Sequence, residues 1–383
     1  MSTYEVTEID SLEYDLINGE YNSLVKIDDT HLILAFGGDG SDGYIKTFSV
    51  DGSYNLTEID SLEHDAVLGV GNSLVKIDDT HFMLAYKGLD NDGYIKTFSI
   101  DGSYNITEID SLEHDAFNGS GSSLVKIDAT HYALAYLGSG SLTGFIKVFS
   151  IDGSYNITEE TSLEHETTAN AGDDNSLLLI DSTHLILAYK GIASDGYIKT
   201  FSIDGSYNIT ELDVIEHDTS NDRYNSLVQI DATHFMLAYY GTSNHGYVKT
   251  FSIDGSYNIT EIDSLDHDVY GFDNSLIKID DTHYALAYGG TGVDGFIKVF
   301  SIDGSYNITE ETSLEHDIIV GRYSSMVKLD DTHLVLAYRG DGNDGLIKTF
   351  HIDAPATAGG SSLKSINGLA KASIKSWNGV ELA

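Results

Sequence analysis

Short runs of apolar and polar residues follow one another along this chain in a fixed order. From Asn22 the sequence reads Asn-Ser-Leu-Val-Lys-Ile-Asp28, passes Asp29-Thr30, and continues as His31-Leu-Ile-Leu-Ala-Phe36, apolar almost throughout. A Gly/Asp-rich loop, Gly37 to Gly43, leads to a third run, Tyr44 to Val50. After the turn Asp51-Gly52-Ser53 comes a fourth, acidic run, Asn55 to Asp65. Val, Ile, Tyr, Phe and Thr fill these runs while Gly, Asp and Asn punctuate them, so each predicts a β-strand; they are named a, b, c and d. Strand b has no polar side, which predicts a sheet covered on both faces.

The set recurs at a spacing of about fifty residues, with b strands beginning at His31, His81, His131, His184, His234, His283 and His333. A d-like run stands alone at residues 4–15, and the last c strand, Leu346 to Ile352, is followed by Asp353-Ala-Pro-Ala-Thr instead of a d strand. Strands at this period, without a 3.6-residue helical pattern, resemble a β-propeller. The expected fold is all-β: a seven-bladed β-propeller of four-stranded antiparallel blades over residues 1–353, closed by residues 4–15, which complete blade 7 and cover its c-strand edge. No WD40 Trp-Asp pair, kelch tryptophan or sialidase Asp-box occurs, and Trp377 lies outside the ring, so the fold brings no family chemistry with it.

Beyond the ring, 354–361 reads as a flexible linker and 362–383 as two copies of an eleven-residue unit, each with an Asn-Gly suited to a hairpin turn, so a short β tail is expected. This tail resembles short Ser-Ile-Lys-x-x-Asn-Gly repeats at the C-terminal ends of phage virion proteins and some microbial surface proteins. The resemblance implies a terminal attachment module with the propeller displayed outward; too short to bury a core of its own, the tail is expected to dock on a protein partner, another copy or the propeller's flank.

Charge narrows the partners. The chain has 61 acidic against 20 basic residues, a formal charge of -41, which repels nucleic acid and anionic lipid. It has no cysteine, which removes disulfides and thiolate metal sites. No signal peptide or long apolar stretch is visible, so membrane insertion is not expected, and a virion or extracellular surface is the favoured location.

Repeats within one chain also separate constrained positions from free ones. The a–b turn keeps Asp-x-Thr-His in all seven copies and the c–d turn keeps Asp-Gly-Ser-Tyr-Asn in six, both on one face of a meander. The d–a and b–c loops, on the opposite face, vary. Most variable are the pairs that open strand a: Glu20-Tyr21, Val70-Gly71, Ser120-Gly121, Asp173-Asp174, Arg223-Tyr224, Phe272-Asp273 and Arg322-Tyr323. Twelve lysines hold fixed places on strands a and c, such as Lys26 and Lys46, and read as partners of nearby carboxylates. The other ring bases, Lys87, Lys190, Arg223, Arg322 and Arg339, all lie on the variable face beside Tyr21, Tyr224, Tyr240, Phe272 and Tyr323. Arginine forks beside aromatic platforms suit an acidic sugar, so these ten residues form the candidate ligand site.

Other motifs read structurally. The His31 series belongs to hydrogen-bonded corners. His64 and its equivalents, between Glu63 and Asp65 and their counterparts, read as part of a solvated acidic outer strand, because alternation keeps the three from converging on an ion. The loops Asp39 to Gly43, Leu89 to Gly93 and Asp341 to Gly345 have oxygen ligands enough to suggest calcium, yet Gly138 to Gly144 has no acid and none has the bidentate glutamate of an EF-hand, so a Gly/Asp turn is the preferred reading. No other cofactor is expected, and no nucleophile–base or paired-acid constellation stands out. The sequence thus predicts a non-enzymatic, phage-type attachment protein that binds surface glycan through its variable face. A protein-interaction scaffold and a polysaccharide-acting enzyme are the alternatives.

Overall fold

A computed structural model describes residues 4–353 and, beyond them, four two-residue strands of the tail. Seven four-stranded antiparallel sheets stand around an axis, each in the order a-b-c-d from the inside outward. Blade 1 comprises Glu20–Asp28, His31–Gly37, Gly43–Val50 and Leu56–Asp65. Blade 7 takes its outer strand from the start of the chain: Glu5–Asp15 pairs antiparallel with Gly345–Asp353, Glu5 facing Asp353 and Val6 facing Ile352. In the tail, Ser365–Ile366 pairs with Leu369–Ala370 and Ser376–Trp377 with Val380–Glu381, while the expected linker and docking contacts lie outside the described residues.

The b strands explain the architecture. Leu32, Ile33, Leu34, Ala35 and Phe36 are all fully buried, which requires a neighbouring blade on each face. The core is accordingly a ring of seven wedges. One wedge packs Ile33, Ala35 and Ile45 of blade 1 against Leu74, Phe82, Leu84 and Phe98 of blade 2.

Three repeated bonds tie blade to blade. At the inner strands, the N–H of Leu74 donates to Ser23 Oγ at 2.9 Å, and the same bond recurs through Leu124, Leu177, Leu227, Leu276 and Met326 until Leu24 closes the circle on Ser325. At mid-sheet, Lys96 donates to His64 O of the preceding blade at 2.7 Å and to Glu108 of its own at 2.8 Å. The expected carboxylate partners of the lysines are therefore joined by main-chain carbonyls.

At the turn face, Asp28 accepts from Thr30 N at 2.8 Å and His31 Nδ1 lies 3.0 Å from it, as the corner motif predicts. The tyrosine of the next blade's c–d turn adds what the motif did not announce. Tyr104 stacks on His31 with ring centroids 3.6 Å apart and donates its hydroxyl to Asp28 at 2.8 Å. Tyr4 supplies the seventh copy, resting on His283 at 4.4 Å and donating to Asp280 at 3.2 Å, so closure completes this ring as well.

The solvated outer strand is corrected. Glu63 is exposed, but His64, His114, His165, His217, His267 and His316 are only 5–7% exposed. His64 meets Tyr86 edge-on at 4.7 Å. Alternation that turns Glu63 outward must turn its neighbour inward. Burial, with Lys96 close by, lowers the His64 pKa to about 3, so the ring stays neutral.

Candidate functional site

Strand a begins at the axis with a bulge: Glu20 faces Gly37, but Ser23 faces Ala35, leaving one extra residue on the inner strand. The bulge places one residue of each blade in left-handed backbone geometry. These are Tyr21 (φ 54°), Gly71 (65°), Gly121 (60°), Asp174 (51°), Tyr224 (56°), Asp273 (52°) and Tyr323 (54°). Glycine adopts this region freely, whereas tyrosine and aspartate are strained there by about 1 kcal/mol each. An amide ladder pins the bulges. Nδ2 of Asn22, Asn72, Asn175, Asn225 and Asn274 donates to the carbonyl of the preceding blade's left-handed residue at 2.9–3.2 Å.

The ring of bulges surrounds a funnel of about 420 Å³. Its wall has three unlike sectors. Tyr21, Tyr224 and Tyr323 form an aromatic side; Asp173, Asp174, Lys190 and Arg223 form a charged side; Val70, Gly71, Ser120 and Gly121, with Lys87 above, leave an open side. Lys190 Nζ lies 3.4 Å from Asp173 and 3.5 Å from Asp174. Burial and the adjoining Asp173 push the Asp174 carboxyl up to about 6, despite Lys190 and Arg223 nearby.

Of the ten expected site residues, Tyr21, Lys87, Lys190, Arg223, Tyr224 and Tyr323 line the funnel. The other four stand behind or beside the wall. Arg322 pairs with Asp273 and packs over the Phe272 ring at 4.9 Å, while Arg339 pairs with Glu20 and packs over Tyr323 at 5.0 Å. Tyr240 is 7% exposed and stacks on Phe272 at 4.9 Å. The two arginines therefore spend their charge on carboxylates and their planar faces on the aromatic wall. Lys87 and Arg223 have no carboxylate within ion-pair distance among the described residues.

Sequence reasoning missed the asparagine ladder, whose signal was the repeated Asn/Ser-Ser opening of strand a, and also missed Asp222. In the other six d–a loops this position is glycine, and at Gly69 a Cβ would lie 2.1 Å from the Gly43 Cα. Asp222 is fully buried, accepts from Asn225 Nδ2 at 2.7 Å, and has His217 Nε2 at 3.7 Å. Burial pushes its carboxyl well above the usual range, so the pair is held without net charge behind the Asp174 side of the funnel. Among the described residues no three His, Asp or Glu side chains converge as metal ligands. The Asp-Gly loops form one-turn 3₁₀ segments such as Asp39–Ser41 and Asp341–Asn343.

No family model and no curated protein matches the sequence. Solved structures do match in shape. A periplasmic gluconolactonase of Pseudomonas aeruginosa superposes with a TM-score of 0.59 at 14% identity, covering 75% of this chain and 82% of that one. Sqt1 of Chaetomium thermophilum gives 0.57 at 12%, covering 88% and 83%. A protein of unknown function from Dyadobacter fermentans gives 0.54 at 11%, covering 91% and 99%.

The chain is a seven-bladed β-propeller. At these identities the likeness is one of fold. The expected glycan-binding, phage-type attachment function is overturned: the similar structures named above are a gluconolactonase, Sqt1 and a protein of unknown function, and none is described as a phage or glycan-binding protein. Physically, two of the three arginines on which acidic-sugar recognition depended, Arg322 and Arg339, are already neutralised by Asp273 and Glu20.

Proposed function

We propose that the propeller binds a small organic anion in its axial funnel. The observation that carries this reading is the ring of bulges, where five of seven left-handed positions hold Tyr or Asp although Gly71 and Gly121 fill the same place without strain. Side chains kept at a conformational cost, and converging on one concavity, are the pattern of a ligand site. About 420 Å³ suits a metabolite-sized molecule rather than a polymer. Lys87 and Arg223 supply the charge that recognises an anionic group, and the tyrosine faces contact the ligand body.

Titration calorimetry with small hydroxy-carboxylic acids tests this. A member of the panel should bind the native protein and lose at least tenfold in affinity when Lys87→Ala and Arg223→Ala are combined. Failure of every acid to bind, or binding indifferent to that change, would sink the proposal.

A second reading, hydrolysis of a lactone, is favoured by Asp174. A carboxyl raised to about 6 beside Lys190 is poised to accept a proton from water near neutral pH. The fold is also that of a gluconolactonase. Acid release from gluconolactone, absent in Asp174→Asn, is the corresponding assay.

A further inference from the structure

The two ends of the ring differ in more than sequence variability. Large apolar side chains stand exposed at the tips of the d–a loops: Leu16 is 75% exposed, Phe117 69% and Ile318 74%, with Ile17, Val67, Val269 and Ile319 at 50–55%. On the same face, Leu89 and Ile192 are 44% and 50% exposed on b–c loops. The turn face has no comparable residue among those described. Loop formation does not demand these tips. Asp15 Oδ1 accepts the N–H groups of Ile17 and Asn18 at 2.9 and 3.0 Å, and Asp65, Asp115 and Asp317 repeat that closure. The turn is held by its aspartate whatever the tip.

The apolar tips form a crescent. They occupy five consecutive d–a loops, centred on the one between blades 7 and 1, and stop at the loops after blades 3 and 4, where Thr167, Thr168, Thr219 and Ser220 stand instead. We propose that this face pairs with the same face of a second copy.

A two-fold axis lying across the face through Leu16 carries the loop after blade 1 onto the loop after blade 7's predecessor, blade 6, and the loop after blade 2 onto that after blade 5. Among the d–a loops, apolar tip then meets apolar tip and the two polar loops meet each other, the self-complementarity an isologous dimer needs. Nine apolar side chains, each 44–75% exposed, are offered per copy toward the about 800 Å² per partner of a standard interface. A formal charge of -41 per chain opposes the pairing, so it strengthens as salt screens that charge. In the dimer the two funnels open into one chamber, entered through the polar gap. The proposal does not depend on what the funnel binds.

Light scattering and sedimentation should show a monomer–dimer equilibrium shifting to dimer between dilute buffer and about 1 M salt. Phe117→Ser with Ile318→Ser should return it to monomer, whereas Leu212→Ser with Val214→Ser, exposed on the outer strand of blade 4, should not. Because the chain has no cysteine, Leu16→Cys gives a clean second readout. It should cross-link copy to copy under mild oxidation, while Ser53→Cys on the turn face should not. Monomer mass at every salt concentration, or equal cross-linking from both cysteines, overturns the proposal and leaves the crescent to a different protein.

Discussion

The turn face and the funnel face are built from the same repeat and have opposite fates. At the turn face every blade spends the same side chains in the same way: Asp28 accepts, His31 stacks, and Tyr104 of the next blade covers both. At the funnel face no two adjacent blades open strand a with the same pair, and five of the seven left-handed positions retain bulky or charged side chains. Identity persists where a residue is braced from the neighbouring blade. Where the chain leaves the sheet that demand lapses, and strain that survives there needs another reason.

Acid should separate the two ends most strongly. The buried histidines near the funnel end of six of the seven outer strands, His64 and its equivalents, have pKa values lowered to about 3 by burial. Their folded values lie below the unfolded one, so their stabilisation is complete above about pH 6.5 and is lost as pH falls through the range down to 3. Six such groups remove on the order of 10 kcal/mol between pH 7 and 5, comparable to the stability of a domain. Asp78, Asp231, Asp280 and Asp330 at the turn face are held at about 2, where hydrogen bonds from threonine, histidine and neighbours outweigh burial. Their contribution begins to fail only below pH 4. Urea unfolding across this range should therefore collapse between pH 6.5 and 5; a flat profile there would mean that the histidines are solvated after all.

Removal of residues 1–15 takes away strand d of blade 7 together with buried Tyr4, Val6 and Tyr14. The melting temperature should fall by more than about 10 °C. An unchanged melt would show the ring closing without that strand. Tyr104→Ala removes one stack and one charged hydrogen bond and should cost about 2 kcal/mol by chemical denaturation. Tyr21→Gly should shift stability by less than about 1 kcal/mol, since relief of strain offsets lost packing, yet should weaken ligand binding in the funnel. A loss as large as that of Tyr104→Ala would make Tyr21 a structural residue and erase the contrast between the faces.

The blade count, the strand order and the N-terminal closure were legible because each follows from an apolar period repeated seven times. The inward turn of His64 was equally written in the alternation, but acidic neighbours on both sides disguised it. The bulge ring was not legible: tyrosine and aspartate carry no mark of a left-handed conformation, which tertiary pinning by Asn22 and its counterparts imposes. The charge state of the arginines was hidden for a similar reason. Arg322 meets Asp273 and Arg339 meets Glu20 only because strands from different blades converge on one axis. Asp222 was visible as a broken glycine pattern, and its burial against His217 gives that break its meaning.

The pairing of Glu5 with Asp353 has a consequence for the order in which the protein is made. Of the ring's strands, the one made earliest receives its partner last, after roughly 20 to 70 s of further synthesis at usual elongation rates. Blades 1 to 6 can assemble during that interval, each on the one before, while residues 5–15 wait unpaired. Their composition suits the wait: apart from Val6 and Tyr14 the segment is largely exposed and rich in acids, so it stays soluble until its edge appears. The ring is thus shut by its oldest segment, and a nascent chain halted before blade 7 has nothing to close upon.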